Sequence, residues 1–282
     1  MDYFSDVSSG AFGLASAASW GAGDFCGGLA AKKADTYQVV IGAHVISGLA
    51  FGGLALATGE PLRVSIDLAW CAVAGVVGAA GLVALYRGLA IGRMAVVAPV
   101  AGVLSAAVPV VAGIAMDGLP AALTLVGFAL ALAGVWLCAG GESAAVRPGE
   151  LLLPVIAGLG FGAFIVLIGR GSGGAVFWPL VAARIASISV VTAVARFIGR
   201  PIWPGRSGAA IVGLAGLLDG GGNALLVMAA HTGRLDVAGV LSSLYPAATV
   251  ILAWLLLKEG LGPRQLVGLI VTLAAILAIG VK

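Results

Sequence analysis

Ten apolar runs follow one another along the chain, separated by short polar links. They cover residues 10–31, 36–58, 68–91, 94–116, 121–140, 151–170, 176–198, 208–231, 235–257 and 263–281. Crossing the hydrocarbon core of a bilayer takes about 20 apolar residues, so each run predicts one spanning helix. The links carry turn and charge signals: Lys32-Lys33-Ala34-Asp35, Gly59-Glu60-Pro61, Gly140-Gly141-Glu142, Arg200-Pro201 and Lys258-Glu259-Gly260. The least apolar stretch of the middle, residues 142–150, divides the runs into five and five. The expected fold is an all-α integral membrane protein of ten transmembrane helices in two units, 10–140 and 150–282.

The two units echo each other at an offset of 141 residues. Trp20-Gly21-Ala22 meets Phe161-Gly162-Ala163, Ala74-Gly75 meets Ala215-Gly216, Gly92-Arg93 meets Gly233-Arg234, and Val126-Gly127 meets Val267-Gly268. Pro109 and Pro246 pair at a locally shifted offset of 137. Five is odd, so two successive five-helix units enter the membrane in opposite directions. The prediction is therefore a 5+5 inverted-topology repeat, an architecture of secondary transporters whose sites lie at the midplane between repeats.

Composition sharpens the membrane assignment. Only 10% of residues are charged and 61% are hydrophobic, against about 25% charged in a soluble domain. Forty-five glycines let apolar helices approach closely, and pairs four apart recur, as at Gly23/Gly27 and Gly216/Gly220. The net charge of +3 is scattered, with no basic run for nucleic acid. Cys26, Cys71 and Cys138 lie singly in apolar runs, which predicts neither a disulfide framework nor a metal site. No phosphate-binding or dinucleotide motif occurs, and no cofactor is expected. The first ten residues carry two acids and no Lys or Arg, so the first run reads as a retained span.

A charge at membrane depth costs about 2.5–3.5 kcal/mol on insertion scales, so each needs a reason. The deep polar groups are Asp24, His44, Arg184, Asp219 and Asn223. At the 141 offset they face Ile165, Ile185, Ala43, Gly78 and Leu82. The apolar frame repeats and the polar groups do not, as expected if they serve one ligand in a shared cavity. Asp219 and Asn223, four apart, share a helix face. They are candidate substrate-binding groups, and Asp219, Asp24 and His44 are candidates for proton coupling. The competing reading is structural: Asp219 or Asp24 pairs with Arg184, and His44 is satisfied by a neighbour. Trp20, Tyr86 and Tyr245 are candidate cavity aromatics, or packing and interfacial residues. Pro109 and Pro246 sit inside the fourth and ninth runs, where each frees the carbonyl four residues earlier, on Ser105 and Ser242. They read as hinges with cavity-lining polar groups, Ser242 among them, or as static kinks. His231 reads as interfacial.

Trp20-Gly21 in the first run, the Gly-Arg turns at 92–93 and 233–234, and Ser243-Leu244-Tyr245-Pro246 followed by Lys258-Glu259-Gly260-Leu261 and Gln265-Leu266-Val267-Gly268 carry a resemblance. The chain resembles the EamA-type family of the drug/metabolite transporter superfamily. The first repeat departs from the family pattern, with Asp117-Gly118-Leu119 where Gly-Glu-Arg is usual. The resemblance implies a secondary transporter, an exporter of amino acids, related metabolites or drug-like solutes, in the plasma (inner) membrane with both termini inside. Counted by loops, four basic residues fall on the terminal side and nine on the other, and the positive-inside rule alone places the termini outside. The family orientation is adopted here. The expected partners are a small solute, the bilayer, and protons or an exchanged solute; a second copy of the chain is left open. The alternatives are an integral-membrane enzyme acting on lipid or isoprenoid, which lacks its clustered acids here, and a non-transporting assembly subunit.

Overall fold

A computed structural model describes residues 3–91, 94–138, 148–203, 208–257 and 262–280. The Gly92-Arg93 turn, most of the 142–150 link, Arg206 and the Lys258-Glu259-Gly260 turn lie outside them. The described residues form eleven helices: α1 (Tyr3–Ala31), α2 (Thr36–Thr58), α3 (Ile66–Ile91), α4 (Met94–Asp117), α5 (Ala122–Cys138), α6 (Pro148–Gly171), α7 (Phe177–Phe197), α8 (Ala209–Thr232), α9 (Leu235–Ser242), α10 (Tyr245–Leu257) and α11 (Pro263–Gly280). Among the described residues, six stretches are long and apolar enough to cross a membrane: Thr36–Thr58, Ile66–Ile91, Val100–Asp117, Leu151–Gly171, Phe177–Phe197 and Ala209–Thr232.

The ninth run differs from expectation. It is not one helix but two, broken after Ser242. The Leu244 N–H turns back to the Leu241 carbonyl, and the Ala247 N–H to the Leu244 carbonyl. Pro246 is thus the second residue of α10, in the first turn, where its missing N–H is not needed. Pro109 instead sits within a continuous α4.

The connections sort to two ends of the bundle. At the first, Glu60 of the α2–α3 loop accepts hydrogen bonds from the Val176, Phe177 and Trp178 N–H groups at the start of α7 (2.8–2.9 Å). There too Arg234, between α8 and α9, donates to the Gly118 carbonyl after α4. At the second, Arg200 pairs with Asp35, and Gln38 donates to the Trp203 carbonyl (2.7 Å). Local caps explain the turns. Asp35 caps α2 in a capping box with Gln38, and Gly59, at φ 67°, closes it in the left-handed conformation.

Packing is matched between the halves of the chain. The extensive α1–α8 and α4–α6 contacts have counterparts in α6–α3 and in α9 and α10 on α1. The α3–α7 contact mirrors α8–α2, whereas α2–α7 and α5–α11 map onto themselves. At the crossings, Gly75 lies against the Ala183 backbone and Gly216 against the Ala43 backbone, each too closely for a Cβ. Trp20 fills the space over Gly222 as Phe161 does over Gly81, and Pro246 packs on Gly102 as Pro109 does on Gly239.

These crossings correct one alignment. Gly75 and Gly216 are 141 apart, but Ala43 and Ala183 are 140 apart. Between α2 and α7 the match therefore slips by one residue, and the mate of Arg184 is His44 rather than Ala43. Ser47 and Ser187 then match as well, and each turns its hydroxyl back onto its own helix, Ser47 to the Ala43 carbonyl at 3.0 Å and the His44 carbonyl at 3.3 Å, Ser187 to the Arg184 carbonyl at 3.0 Å.

Candidate functional site

Midway along the helices, a cavity of about 40 Å³ opens between the two halves. Its polar wall is Asp24, His44, Arg184, Asp219 and Asn223, and its aromatic wall is Trp20, Phe161, Phe164 and Tyr245. In the present conformation the space suits a few waters.

Helix α1 is fixed to α8 by three serines on one face. Ser9, Ser16 and Ser19 donate to the Ala229, Gly222 and Leu218 carbonyls (2.9, 2.8 and 2.6 Å). Gly23 lies against the Asp219 backbone N–H. This seam sets Asp24 beside Asp219.

The three charges then divide unequally. Arg184, on α7, forms an ion pair with Asp219, on α8. The Asn223 Nδ2 group also donates to Asp219 Oδ2 (3.3 Å), and the guanidinium lies over the Phe51 ring, 5.8 Å from its centre. Side-chain exposure is only 6% for Arg184 and 14% for Asp219, so the two charges neutralise each other out of reach of bulk water, while the buried Arg184 Nε is left without a hydrogen-bond partner. Asp24 has no hydrogen bond or ion pair among the described residues, and its charged neighbour is the like-charged Asp219. Its carboxyl faces the cavity uncompensated.

His44 is satisfied, though by a hydroxyl. Its Nδ1 lies 2.9 Å from Ser187 Oγ. The same Ser187 hydroxyl lies 3.0 Å from the Arg184 carbonyl, so it bridges the ring to the α7 backbone. Trp20 and Phe161 each meet Tyr245 edge to face at 6.4 Å. The Tyr245 hydroxyl is buried beside Ser105 on the same wall.

Not every candidate gathers here. Ser242 is buried away from the cavity, 3.4 Å from the Gly13 carbonyl on α1. Ser105 lines the cavity instead, its Oγ donating to the Gly102 carbonyl at 2.9 Å. Tyr86 is fully buried with its hydroxyl over Gly27, so it packs beneath the site rather than lining it. Pro109 and Pro246 lie outside the lining too, each packed on a glycine. His231 is exposed at the end of α8, its Nε2 2.6 Å from Ser172 Oγ, as an interfacial residue would be. Phe161 and Phe164 were not singled out from the sequence. The signal for Phe161 was its match to Trp20.

A second hollow, of about 460 Å³, opens at the first end between α4, α6, α8 and α9, beside Asp117, Arg170 and Arg234. One turn of α6 separates Ile165, on the cavity, from Gly169, on this vestibule. Fully buried Ile168, Leu226 and Val227 occupy the same level. Among the described residues no cluster of His, Cys, Asp or Glu could hold a metal ion.

Residues 147–281 match the EamA-like transporter family, of the drug/metabolite transporter superfamily. No curated protein matches the chain. Among solved structures, one described only as the crystal structure of a protein shares 17% identity over 96% of both chains, with a TM-score of 0.76. That likeness concerns the fold. Together with the run of apolar helices, the family match makes the chain a multi-pass membrane protein.

Proposed function

With its second half in the EamA-like transporter family, we propose that the chain is a secondary transporter of small solutes, working by alternating access around the midplane cavity. The observation that carries this reading is the cavity itself: charged and aromatic side chains from both halves meet at membrane depth, where each charge needs a reason. The matched packing of the halves supports ten spans in a 5+5 inverted repeat, with α9 and α10 together making the ninth. In such a repeat, rocking one unit against the other exchanges access between the two ends. The vestibule, one helical turn from the cavity, is the entry for an exporter whose termini face the cytoplasm of a plasma-membrane cell boundary. A cysteine-accessibility scan over residues 200–206 tests that orientation.

Coupling to protons or to a counter-solute supplies the driving force. Asp24 is the carboxyl best placed for it, because Asp219 is held by Arg184 and Asn223. Uptake into proteoliposomes under an imposed pH gradient tests the reading. Gradient-driven flux lost in Asp24→Asn supports coupling at Asp24, and undiminished gradient dependence in that variant removes Asp24 from the role. Absence of flux for every solute class in the wild-type protein overturns the transporter reading.

A further inference from the structure

Within that transporter reading, the charge balance of the cavity identifies the solute. Arg184 is neutralised by Asp219, and Asn223 supports the pair. His44 is bound to Ser187 through Nδ1. What remains is one carboxyl, Asp24, with no cation against it among the described residues. The groups around it are Asp219 with its Arg184, His44, and the phenols of Tyr86 and Tyr245. Aromatic rings from three helices line the same space: Trp20, one turn before Asp24 on α1, with Phe161 and Tyr245, two of them edge-on to the third. An uncompensated carboxyl beside aromatic faces suits a positive charge on an apolar body. The carboxylate supplies the counter-charge, and ring faces attract cations in a desolvated site. An anion would meet two carboxyls, with the nearby arginine already engaged.

We propose that this cavity, once the two halves part beyond its present water-sized space, binds a monovalent organic cation, an ammonium carried on an aryl or alkyl body, with Asp24 as its counter-ion.

The test uses the full chain purified in detergent and three probes of one shape: phenethylamine as cation, 2-phenylethanol as neutral analogue and 3-phenylpropanoate as anion. The expected result is that only the amine raises the melting temperature. Its affinity falls about thirtyfold or more in Asp24→Asn, the loss expected when one partner of a buried charge pair is removed. Asp24→Glu keeps the order of preference. Equal stabilisation by the alcohol or the anion, or an unchanged amine affinity in Asp24→Asn, overturns the proposal. If Asp24→Asn does not fold, the order of preference in the wild type and in Asp24→Glu decides. Proteoliposome flux separates the two readings. Transport of the anion or alcohol without the amine sinks the cation assignment and leaves the transporter standing. Asp24-dependent amine binding with no flux does the reverse.

Discussion

Two crossings in the molecule are built alike and used differently. Where α3 meets α7, Gly75 lies on the Ala183 backbone; where α8 meets α2, Gly216 lies on the Ala43 backbone. The close approach is the same, and the chemistry one turn further on is not. Three residues after Gly75 comes Gly78, filled over by the Phe164 ring; three after Gly216 comes Asp219, which holds Arg184. Small residues at a crossing are dictated by backbone distance, so any matched packing must keep them. A charge satisfies no packing need, so it stands in only one half. The exception is the pair His44 and Arg184, mates once the slip in α2 and α7 is allowed for. There both halves keep a basic residue three positions before a serine, but only one is permanently charged.

The largest effect expected comes from breaking that asymmetry at its charge. Arg184→Leu leaves Asp219 buried with Asn223 as its only partner and should cost about 3–5 kcal/mol, the usual result of removing one member of a buried pair. Thermal denaturation in detergent should show it as a large drop in melting temperature. Arg184→Leu with Asp219→Leu should recover most of the loss, since both charges are then gone. A double variant as unstable as the single one shows that the pair is not what holds α7 to α8.

Next in size are the glycines. Gly75→Val and Gly216→Val each force a side chain into a facing backbone and should cost about 1–3 kcal/mol. Gly213→Val, on the same α8 with open space around it, should stay within about 0.5 kcal/mol. The comparison rests on the first two being equal. A clear difference between them in melting temperature says that the crossings are not equivalent.

Much of this was legible in the sequence because membrane spans write themselves in hydropathy. Nine of the ten runs reappear as single helices. The exception, 235–257, is apolar throughout, and hydropathy cannot distinguish one helix from two in line. The proline that marks the spot was read as an interior kink, when a break just before it turns it into a favourable first-turn residue. The polar cluster was legible as well: Asp24, His44, Arg184, Asp219 and Asn223 all line one cavity. Which acid takes the arginine was not, because that depends on α7 lying against α8 at one register, a tertiary fact. The same limit misplaced the serine. Ser105 and Ser242 occupy similar places in the chain, but the break turns Ser242 toward α1 and leaves Ser105 on the cavity. The one-residue slip in α2 and α7 was invisible because neighbours in an Ala- and Ile-rich helix match almost anything.

The smallest effect expected distinguishes the two ends. At the first end, the Glu60 carboxylate accepts from three N–H groups that open α7, and the Trp178 indole donates back to the Glu60 carbonyl at 2.7 Å. At the matched place on the second end, α2 is capped by its own Asp35, and a bond from Gln38 to the Trp203 carbonyl runs across. The Arg200–Asp35 pair, 3.4 Å long with Arg200 55% exposed, adds little beside it. Glu60→Ala strips α7 of its cap and should cost about 1–2 kcal/mol; Gln38→Ala loses its bond to Trp203 and the one its Oε1 accepts from the Asp35 N–H, and should cost about 0.5–1 kcal/mol. The difference matters for alternating access, because the end with the weaker clasp parts first. Cysteines placed in pairs across each end should therefore crosslink more slowly in Glu60→Ala at the first end and hardly differ in Gln38→Ala at the second. Equal changes at both ends would mean that the Glu60 bonds cap α7 without closing that end of the molecule.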